Sequence, residues 1–271
     1  MAKKERLDVL LVKNNICETR EKAQKYIMAG LVLVNNQKID KSGTKVPEDA
    51  VVRLIGEPMP FASRGGFKLE EAVKAFSLDF TNQVVTDIGA STGGFVDCAL
   101  QHGAARVYAV DVGYGQLAWK LRTDERVVNM EKTNARFLTP EDFPELMDWI
   151  TSDVAFISLT KILPAAYTIL KDHGYGVVLI KPQFEAGREH IGKNGVVRDP
   201  AVHKEVIKKV LACNEALGCK TLGLVHSPIQ GPQGNIEYLY WYQKNNEEKS
   251  VVLDIEKIVD DTFEYFSEKH S

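Results

Sequence analysis

The stretch VVTDIGASTGGF, residues 84–95, decides the fold of this chain. Its first half is a short apolar run that ends in a carboxylate and a glycine, which is typical of a buried parallel strand. Gly89, Gly93 and Gly94 follow in a loop before a helix that we predict over 93–102. Because ligands enter α/β sheets at the carboxyl ends of strands, and glycines let a ligand approach the backbone, this loop is a candidate binding site.

The spacing in this loop indicates which ligand to expect. Dinucleotide sites carry G-x-G-x-x-G, whereas here the pattern is G-x-x-x-G-G with Asp87 in front. A carboxylate repels a pyrophosphate and suits a cationic amino-acid group. A tight strand–helix turn without a ligand is the alternative, and three glycines with a leading acid make it the less favoured one.

Outward from the loop, strands alternate with helices. We predict strands at 84–89, 106–113, 126–130, 150–159, 175–184, 220–227 and 236–244, with helices near 93–102, 115–122, 160–171 and 200–217. Val/Ile runs joined by helical crossovers predict an α/β fold with a mostly parallel seven-stranded sheet of the Rossmann type. No helix separates the last two strands, so we expect them to form an antiparallel hairpin at one edge. The tail, 251–268, reads as an amphipathic helix that packs on its own domain or, less plausibly, on a second copy.

Two polar residues beyond the loop favour a nucleoside cofactor. Asp111 ends the second strand, where an acid accepts hydrogen bonds from ribose hydroxyls. Asn134 follows the third strand, where an adenine edge would lie, although a simple turn residue explains it equally well.

The first 58 residues form a separate module. They carry 11 Lys/Arg and 8 Asp/Glu, a net charge of +3, while the rest carries 23 and 29, a net of −6. Helices at 6–12 and 19–29, a strand–turn–strand through the Asn35–Asn36 pair and a strand at 50–56 predict a small α+β domain. We place this domain at 1–58, a Pro/Gly linker at 59–66, the α/β domain at 67–246 and a C-terminal helix at 247–271.

Several classes of protein are excluded by composition. The four cysteines form no C-x-x-C pair, and no histidine lies at ligand spacing from a pair of cysteines, so we expect neither disulfides nor a metal site. The N-terminus has no apolar signal region, and no apolar run approaches the ~20 residues of a membrane helix. A cytoplasmic protein with no membrane partner is expected.

Four charged residues could converge on this site: one on the helix after the linker, one within the fourth strand, one at the end of the fifth strand and one at the start of the seventh. They are Lys68, Asp153, Lys181 and Glu237. A charge in an apolar strand is costly unless it is paired, so a purely structural ion pair is one interpretation. Their place at the ligand-binding edge favours catalysis instead.

The ordered motifs resemble a known family. SRGGFKL (63–69), DIGASTGGF (87–95), DVGYGQ (111–116), SDVAFISL (152–159), IKPQFEAGRE (180–189) and SPIQGPQGNIEYL (227–239) are similar to the haemolysin-like TlyA family of rRNA methyltransferases. The set of charges with its preceding S-R-x-x-F-K-L helix resembles FtsJ-type 2′-O-methyltransferases. RLDVLLVKNNICETREKAQKYIMAGLVLVN (6–35) resembles an S4 RNA-binding domain.

The resemblance assigns roles to residues of this sequence. Lys68, Asp153, Lys181 and Glu237 would be catalytic. The S-adenosylmethionine site would be lined by Asp87, Gly89, Ala90, Ser91, Gly93, Gly94, Phe95, Asp111, Val112, Asn134 and Asp153. RNA contacts would come from Arg6, Arg20, Lys22, Lys25, Lys38 and Arg64.

The resemblance implies an S-adenosylmethionine-dependent 2′-O-methyltransferase acting on ribosomal RNA, as a monomer or weak homodimer. Lys181 would either remove the hydroxyl proton or stay charged and stabilise the developing alkoxide; its unperturbed pKa of ~10.4 has to fall for the first role. The rivals are a non-catalytic RNA-binding assembly factor with a degenerate methyltransferase domain, a nicotinamide-dependent oxidoreductase and a membrane-active haemolysin.

Overall fold

A computed structural model of the chain describes residues 3–56, 58–245 and 250–268. The molecule divides into two compact units, Met1–Pro60 and Phe61–Ser271. Phe61 is buried in the core of the second unit, so the segment predicted as a linker over 59–66 overlaps the start of that unit.

The first unit packs two helices, α1 (Leu7–Lys13) and α2 (Arg20–Met28), against short strands. Those strands are β1 (Lys4–Arg6), β2 (Val32–Val34), β3 (Gln37–Ile39), β4 (Lys45–Pro47) and β5 (Val52–Leu54). β1 pairs with β4, and β3, β2 and β5 form an antiparallel sheet in that order. The core is made of apolar residues from both helices and from β2 and β4.

Local signals in the sequence account for these elements. The Thr19 hydroxyl accepts a hydrogen bond from the Lys22 amide at 3.2 Å and so caps the start of α2. Asn35 and Asn36 have φ of +48° and +66°, the left-handed pair that a tight hairpin turn between β2 and β3 requires.

The second unit is an α/β domain around a seven-stranded sheet. Its strands are β6 (Val84–Ile88), β7 (Arg106–Val110), β8 (Val127–Met130), β9 (Met147–Ser152), β10 (Leu170–Ile180), β11 (Cys219–His226) and β12 (Tyr238–Lys244). Its helices in the described residues are α3 (Gly66–Phe76), α4 (Gly94–Gln101), α5 (Trp119–Arg122), α6 (Leu163–Ile169), α7 (Pro182–Glu185), α8 (Pro200–Ala216) and α9 (Ile255–Glu268).

The order across this sheet is β11-β12-β10-β9-β6-β7-β8, and only β12 runs antiparallel to its neighbours. The predicted mostly parallel seven-stranded sheet is therefore confirmed. The predicted antiparallel hairpin of the last two strands at one edge is confirmed too, because β11 and β12 pair antiparallel there, and β12 inserts between β10 and β11 and pairs with both. This insertion leaves β11 at the edge and fully pairs the Tyr-rich strand β12, whose Tyr238, Tyr240 and Tyr242 are buried.

Two helices flank the site described below. α3 buries Leu69, Ala72 and Val73. The sequence places Phe67 on the same apolar face of this helix as Ala72 and Val73, but its side chain is more than a third exposed. α9 packs on α8 through Val259 and Phe266. Residues 247–249 and 269–271 of the predicted C-terminal helix lie outside the described residues.

Candidate active site

The functional side chains converge because of strand direction. β6, β7, β9 and β10 all end at one edge of the sheet, and the antiparallel strand β12 begins there, with Ile180 paired to Tyr238. Residues just after a parallel strand and just before β12 are thus neighbours in space. Asp153 was predicted within a strand, but β9 ends at Ser152, and the carboxylate stands at the first position outside the sheet.

A cavity of about 770 Å³ opens at this edge. That volume suits a cofactor-sized ligand. It is lined by Ser63, Arg64, Gly65, Lys68, Asp87, Gly89, Ala90, Ser91, Gly94, Phe95, Asp153, Ala155, Lys181, the loop 228–234 and Phe266.

The four predicted charges form one connected network. The Lys68 Nζ lies 3.2 Å from Asp153 Oδ2 and 2.8 Å from Glu237 Oε2. The Lys181 Nζ lies 2.6 Å from the other Asp153 oxygen. Asp153 therefore bridges the two amines, and the four side chains balance two positive charges against two negative ones.

Lys68 and Asp153 are held in their charged forms. Burial acts against the charge on both, but the carboxylates of Asp153 and Glu237 raise the pKa of Lys68 above its usual value. Likewise, the ammonium groups of Lys181 and Lys68 lower the pKa of Asp153 despite its burial. Both amines line the cavity. Lys68 faces two acids and Lys181 contacts one, which makes Lys181 the amine more available to a substrate.

Asp87 behaves differently from the other acids of the site. It is buried, and burial, with help from Asp153 and Asp111, raises its pKa to about 8, against the stabilising hydrogen bond from Thr151 Oγ1 at 2.9 Å. A desolvated carboxyl beside an open cavity is a site for a cation, because a positive group restores its ionised form. The ammonium of an amino-acid moiety fits this requirement.

Asp111 lies behind the glycine loop, at the end of β7. Its two oxygens accept hydrogen bonds from the Ser91 and Gly113 amides, both at 2.7 Å. A carboxylate fixed in this way can still accept hydrogen bonds from hydroxyl groups with its remaining lone pairs.

Four predicted cofactor residues, Asp111 and three others, lie outside the cavity lining in the described part of the chain. Gly93 begins α4 and packs against the α5 side chains. Val112 is 70 % exposed on the surface. Asn134 caps a 3₁₀ turn, where its Oδ1 accepts the Arg136 amide at 3.2 Å. Their place in a cofactor site stays a prediction.

The glycines of the loop serve the packing of the protein itself. A Cβ at Gly94 would lie 2.4 Å from Ser63 Oγ and 2.7 Å from the Gly66 amide nitrogen, where α3 begins. Gly93, with φ of +95°, would place a Cβ 2.2 Å from a Leu121 methyl. Two of the three glycines are therefore required for close contact between chain segments, a reason that the sequence did not indicate.

Sequence reasoning gave no role to several residues at this edge. Gln183 donates to Glu237 Oε1 at 2.9 Å inside the protein. Phe156 is 91 % exposed at a φ of +63°, with its ring 5.2 Å from that of Phe184. The loop 228–234 and Phe266 form a further wall of the cavity. The motifs contained the signal, since Gln183 and Phe184 follow Lys181 in IKPQF and Phe156 follows Asp153 in SDVAF.

In the first unit, the predicted RNA contacts divide into two kinds. Arg6 Nε and Arg20 Nε both lie within 3.0 Å of the fully buried Asp8 carboxylate, which also accepts Gln24 Nε2 at 2.9 Å. By contrast, Lys22, Lys25 and Lys38 are exposed. Arg20 of α2 thus joins the two helices through Asp8 of α1, and Arg6 supports the same carboxylate from the start of α1. The lysines are available to phosphates.

We therefore expect Arg20→Met to destabilise the first unit, by about 1.5–3 kcal/mol, because a buried carboxylate loses a charged hydrogen-bond donor. Hydrogen exchange of the α1 and α2 amides, followed by mass spectrometry in the intact chain, measures this loss. Lys25→Met is the matched control and should leave exchange unchanged while weakening RNA binding. Equal exchange in both variants would contradict the structural role of Arg20.

Known proteins that resemble this chain show which family it belongs to. The sequence profile of FtsJ-like methyltransferases matches residues 61–244. The chain belongs to the FtsJ-like methyltransferase family. The profile of the S4 domain matches residues 5–52, so an S4 domain precedes the FtsJ-like domain, as the motifs predicted.

Relatives of this FtsJ-like methyltransferase extend over nearly its whole length. A Bacillus subtilis protein provisionally named rRNA methyltransferase YqxC is 50 % identical, over 99 % of this chain and 97 % of that protein. The 16S/23S rRNA (cytidine-2′-O)-methyltransferase TlyA of Mycobacterium tuberculosis is 40 % identical, over 89 % of this chain and 90 % of its own. A solved structure of a provisionally named hemolysin from Streptococcus thermophilus is 46 % identical, with a TM-score of 0.77, and covers 100 % of this chain and 99 % of that one.

The hemolysin name calls for a check on membrane insertion. Within residues 3–56, 58–245 and 250–268, none of the helices combines the length and apolar character needed to cross a bilayer.

Proposed function

We propose that this chain transfers the methyl group of S-adenosylmethionine to a ribose 2′-oxygen of ribosomal RNA. The observation that carries the proposal is the Lys181–Asp153–Lys68–Glu237 network, assembled beside the cavity under the glycine loop. A degenerate domain kept only for RNA binding would have no need of four buried charges, which are costly to desolvate.

The cofactor site is proposed on the donor set around the loop. Asp87 would pair with the ammonium of the methionine moiety, and Asp111 would accept the ribose hydroxyls. When bound, S-adenosylmethionine supplies an electrophilic methyl group on a positively charged sulfur. These residues bring it to the edge of the sheet where Lys181 lines the same cavity.

The chain's own residues then activate the target hydroxyl. Lys181, as the ammonium paired with Asp153 at 2.6 Å, contacts the 2′-oxygen and stabilises the negative charge that develops on it. Lys68 stays charged between its two carboxylates and keeps Asp153 in place. Holding the oxygen in line with the methyl group contributes further by orientation. As the 2′-oxygen takes the methyl group, the carbon–sulfur bond would break with its electron pair left on sulfur, and the hydroxyl proton would pass to solvent water through the open cavity.

Binding of RNA is divided between the two units. The S4 domain, with its net charge of +3, supplies attraction to phosphate that the acidic second unit lacks. In the second unit, Arg64 lines the cavity and is exposed, which places a cation where the substrate backbone would enter.

Phe156 is positioned to stack on the base of the target nucleotide. An exposed aromatic ring in a left-handed backbone conformation is unfavourable by itself, and such strain is retained where it serves binding. We expect Phe156→Ala to lower kcat/KM for RNA about 10-fold or more, the value of one base–aromatic stack, with binding of S-adenosylmethionine unchanged. Steady-state kinetics with varied RNA measures it, and Phe156→Tyr should restore most of the loss. An alanine variant with unaltered kcat/KM would refute the stacking role.

The proposal as a whole is tested by incubating undermethylated ribosomal subunits with the protein and methyl-labelled S-adenosylmethionine. Label recovered in a 2′-O-methylnucleoside supports it, whereas label only on a base, or none, contradicts it.

A further inference from the structure

Gln183 occupies a buried position next to the charged network. It lies in α7, two residues after Lys181, and its Nε2 donates to Glu237 Oε1 at 2.9 Å. The other oxygen of that carboxylate receives Lys68 Nζ at 2.8 Å. Both oxygens of Glu237 are thus engaged, one by an amide and one by an ammonium group.

Glu237 cannot leave this arrangement easily. It is almost completely buried and does not line the cavity, whereas Lys68 does. The loop 228–234 presses against it, so that a Cβ on Gly231 would lie 2.2 Å from Oε1. Since Glu237 has no path to a substrate in the described structure, it acts on the reaction through Lys68.

The chemistry of the position explains why an amide stands there. Lys68 and Lys181 face Asp153 and Glu237, so the network is already balanced in charge. A carboxylate away from water needs donors to remain ionised, and an amide donates without adding charge. A cation at 183 would upset the balance, and an apolar residue would leave Oε1 without a donor.

We infer that Gln183 is a positioning residue for methyl transfer, which fixes the ionised Glu237 and through it the catalytic Lys68. This inference rests on the proposed methyltransferase function. The order of contacts is Gln183, Glu237, Lys68, Asp153 and Lys181, with the reacting oxygen at the Lys181 end.

Gln183→Met, which keeps the shape and removes the donor, tests the inference in the full-length protein. We expect kcat to fall about 10-fold at neutral pH, with KM for S-adenosylmethionine unchanged. Because a carboxylate that loses a hydrogen-bond donor is less stable in its ionised form, the fall in activity on acidification should begin at a higher pH than in the wild type. A merely structural role would lower activity equally at every pH.

Gln183→Glu provides a second signature. Two carboxyl groups at this distance share a proton, so the variant should be nearly inactive above neutral pH and should recover towards low pH, where the protonated glutamate can donate. Gln101→Met is the matched control, because Gln101 also donates to a carboxylate, Asp97, on the α4 helix, and its pH profile should equal that of the wild type.

The outcomes separate the two ideas. If wild-type protein transfers no methyl group to RNA, the proposed function fails and the inference fails with it. If the wild type is active and Gln183→Met has the same kcat, or a lowered kcat with an unshifted pH profile, only the inference is overturned. Thermal melting and calorimetric binding of S-adenosylmethionine identify a misfolded variant, in which case Gln183→Asn, an amide too short to reach Glu237, takes its place with the same expected shift.

Discussion

Replacing Lys181 by methionine should reduce the rate of methyl transfer by about 10²–10⁴-fold, while the affinities for S-adenosylmethionine and RNA change little. In the proposed mechanism the Lys181 ammonium is the part of the charged network that contacts the substrate, and a group that stabilises charge or moves a proton only in the transition state affects kcat and not ground-state binding. Methionine keeps most of the apolar stem and removes the charge. Single-turnover kinetics with saturating RNA measures the chemical step directly.

Two controls make this result interpretable. Lys171→Met removes another ion-paired lysine of β10, whose Nζ lies 2.7 Å from Asp148, and it should leave the rate unchanged. The Lys181 variant should also retain its calorimetric titration with S-adenosylmethionine. A rate within a factor of three of the wild type would remove Lys181 from the mechanism.

The second large effect concerns Asp87 and the methyl donor. Asp87→Asn should weaken binding of S-adenosylmethionine about 100-fold, because a buried carboxylate loses its pairing with the ligand ammonium. It should also stabilise the protein without ligand. The folded-state pKa of about 8 lies above the value near 4 of an unfolded chain, so ionisation penalises folding increasingly from pH 4 to pH 8. The asparagine variant is free of that penalty.

The same pKa predicts how cofactor binding depends on pH. Below pH 8 the unliganded carboxyl is mostly protonated and must lose its proton to pair with a cation, so affinity should fall as pH decreases from 8 to 6. At pH 7 binding should release close to one proton. Calorimetry in buffers of different ionisation enthalpy measures this number. Asp40→Asn, at an exposed residue of the first unit, is the control, and pH-independent affinity in the wild type would contradict the role of Asp87.

Much of this architecture was predictable from the sequence because the signals are local. Val/Ile runs and glycine loops fix the strands and their ends, and the carboxyl edge of a parallel sheet gathers whatever follows them. That rule brought Asp153 and Lys181 together in advance. The helix cap at Thr19 and the turn at Asn35–Asn36 were equally predictable from the sequence.

What escaped prediction depends on contacts between distant segments. β12 lies inside the sheet because it pairs with both β10 and β11. A hydropathy pattern does not show which strands pair with each other. The link from Gln183 to Glu237 spans 54 residues, and the contact of Arg20 with Asp8 forms only when α1 and α2 pack. Glycine is likewise needed at position 94 because α3 approaches the loop closely. This cannot be seen when the loop is considered only as a ligand site.

The most direct measurement is mass-spectrometric mapping of ribose methylation on ribosomal RNA from cells that lack this protein, after treatment of their subunits with the purified chain and S-adenosylmethionine. We expect a 2′-O-methylated nucleotide to appear with the wild-type chain and to be absent with Lys181→Met. An unchanged methylation map with wild-type protein, or the same new methyl group with both proteins, would contradict the account.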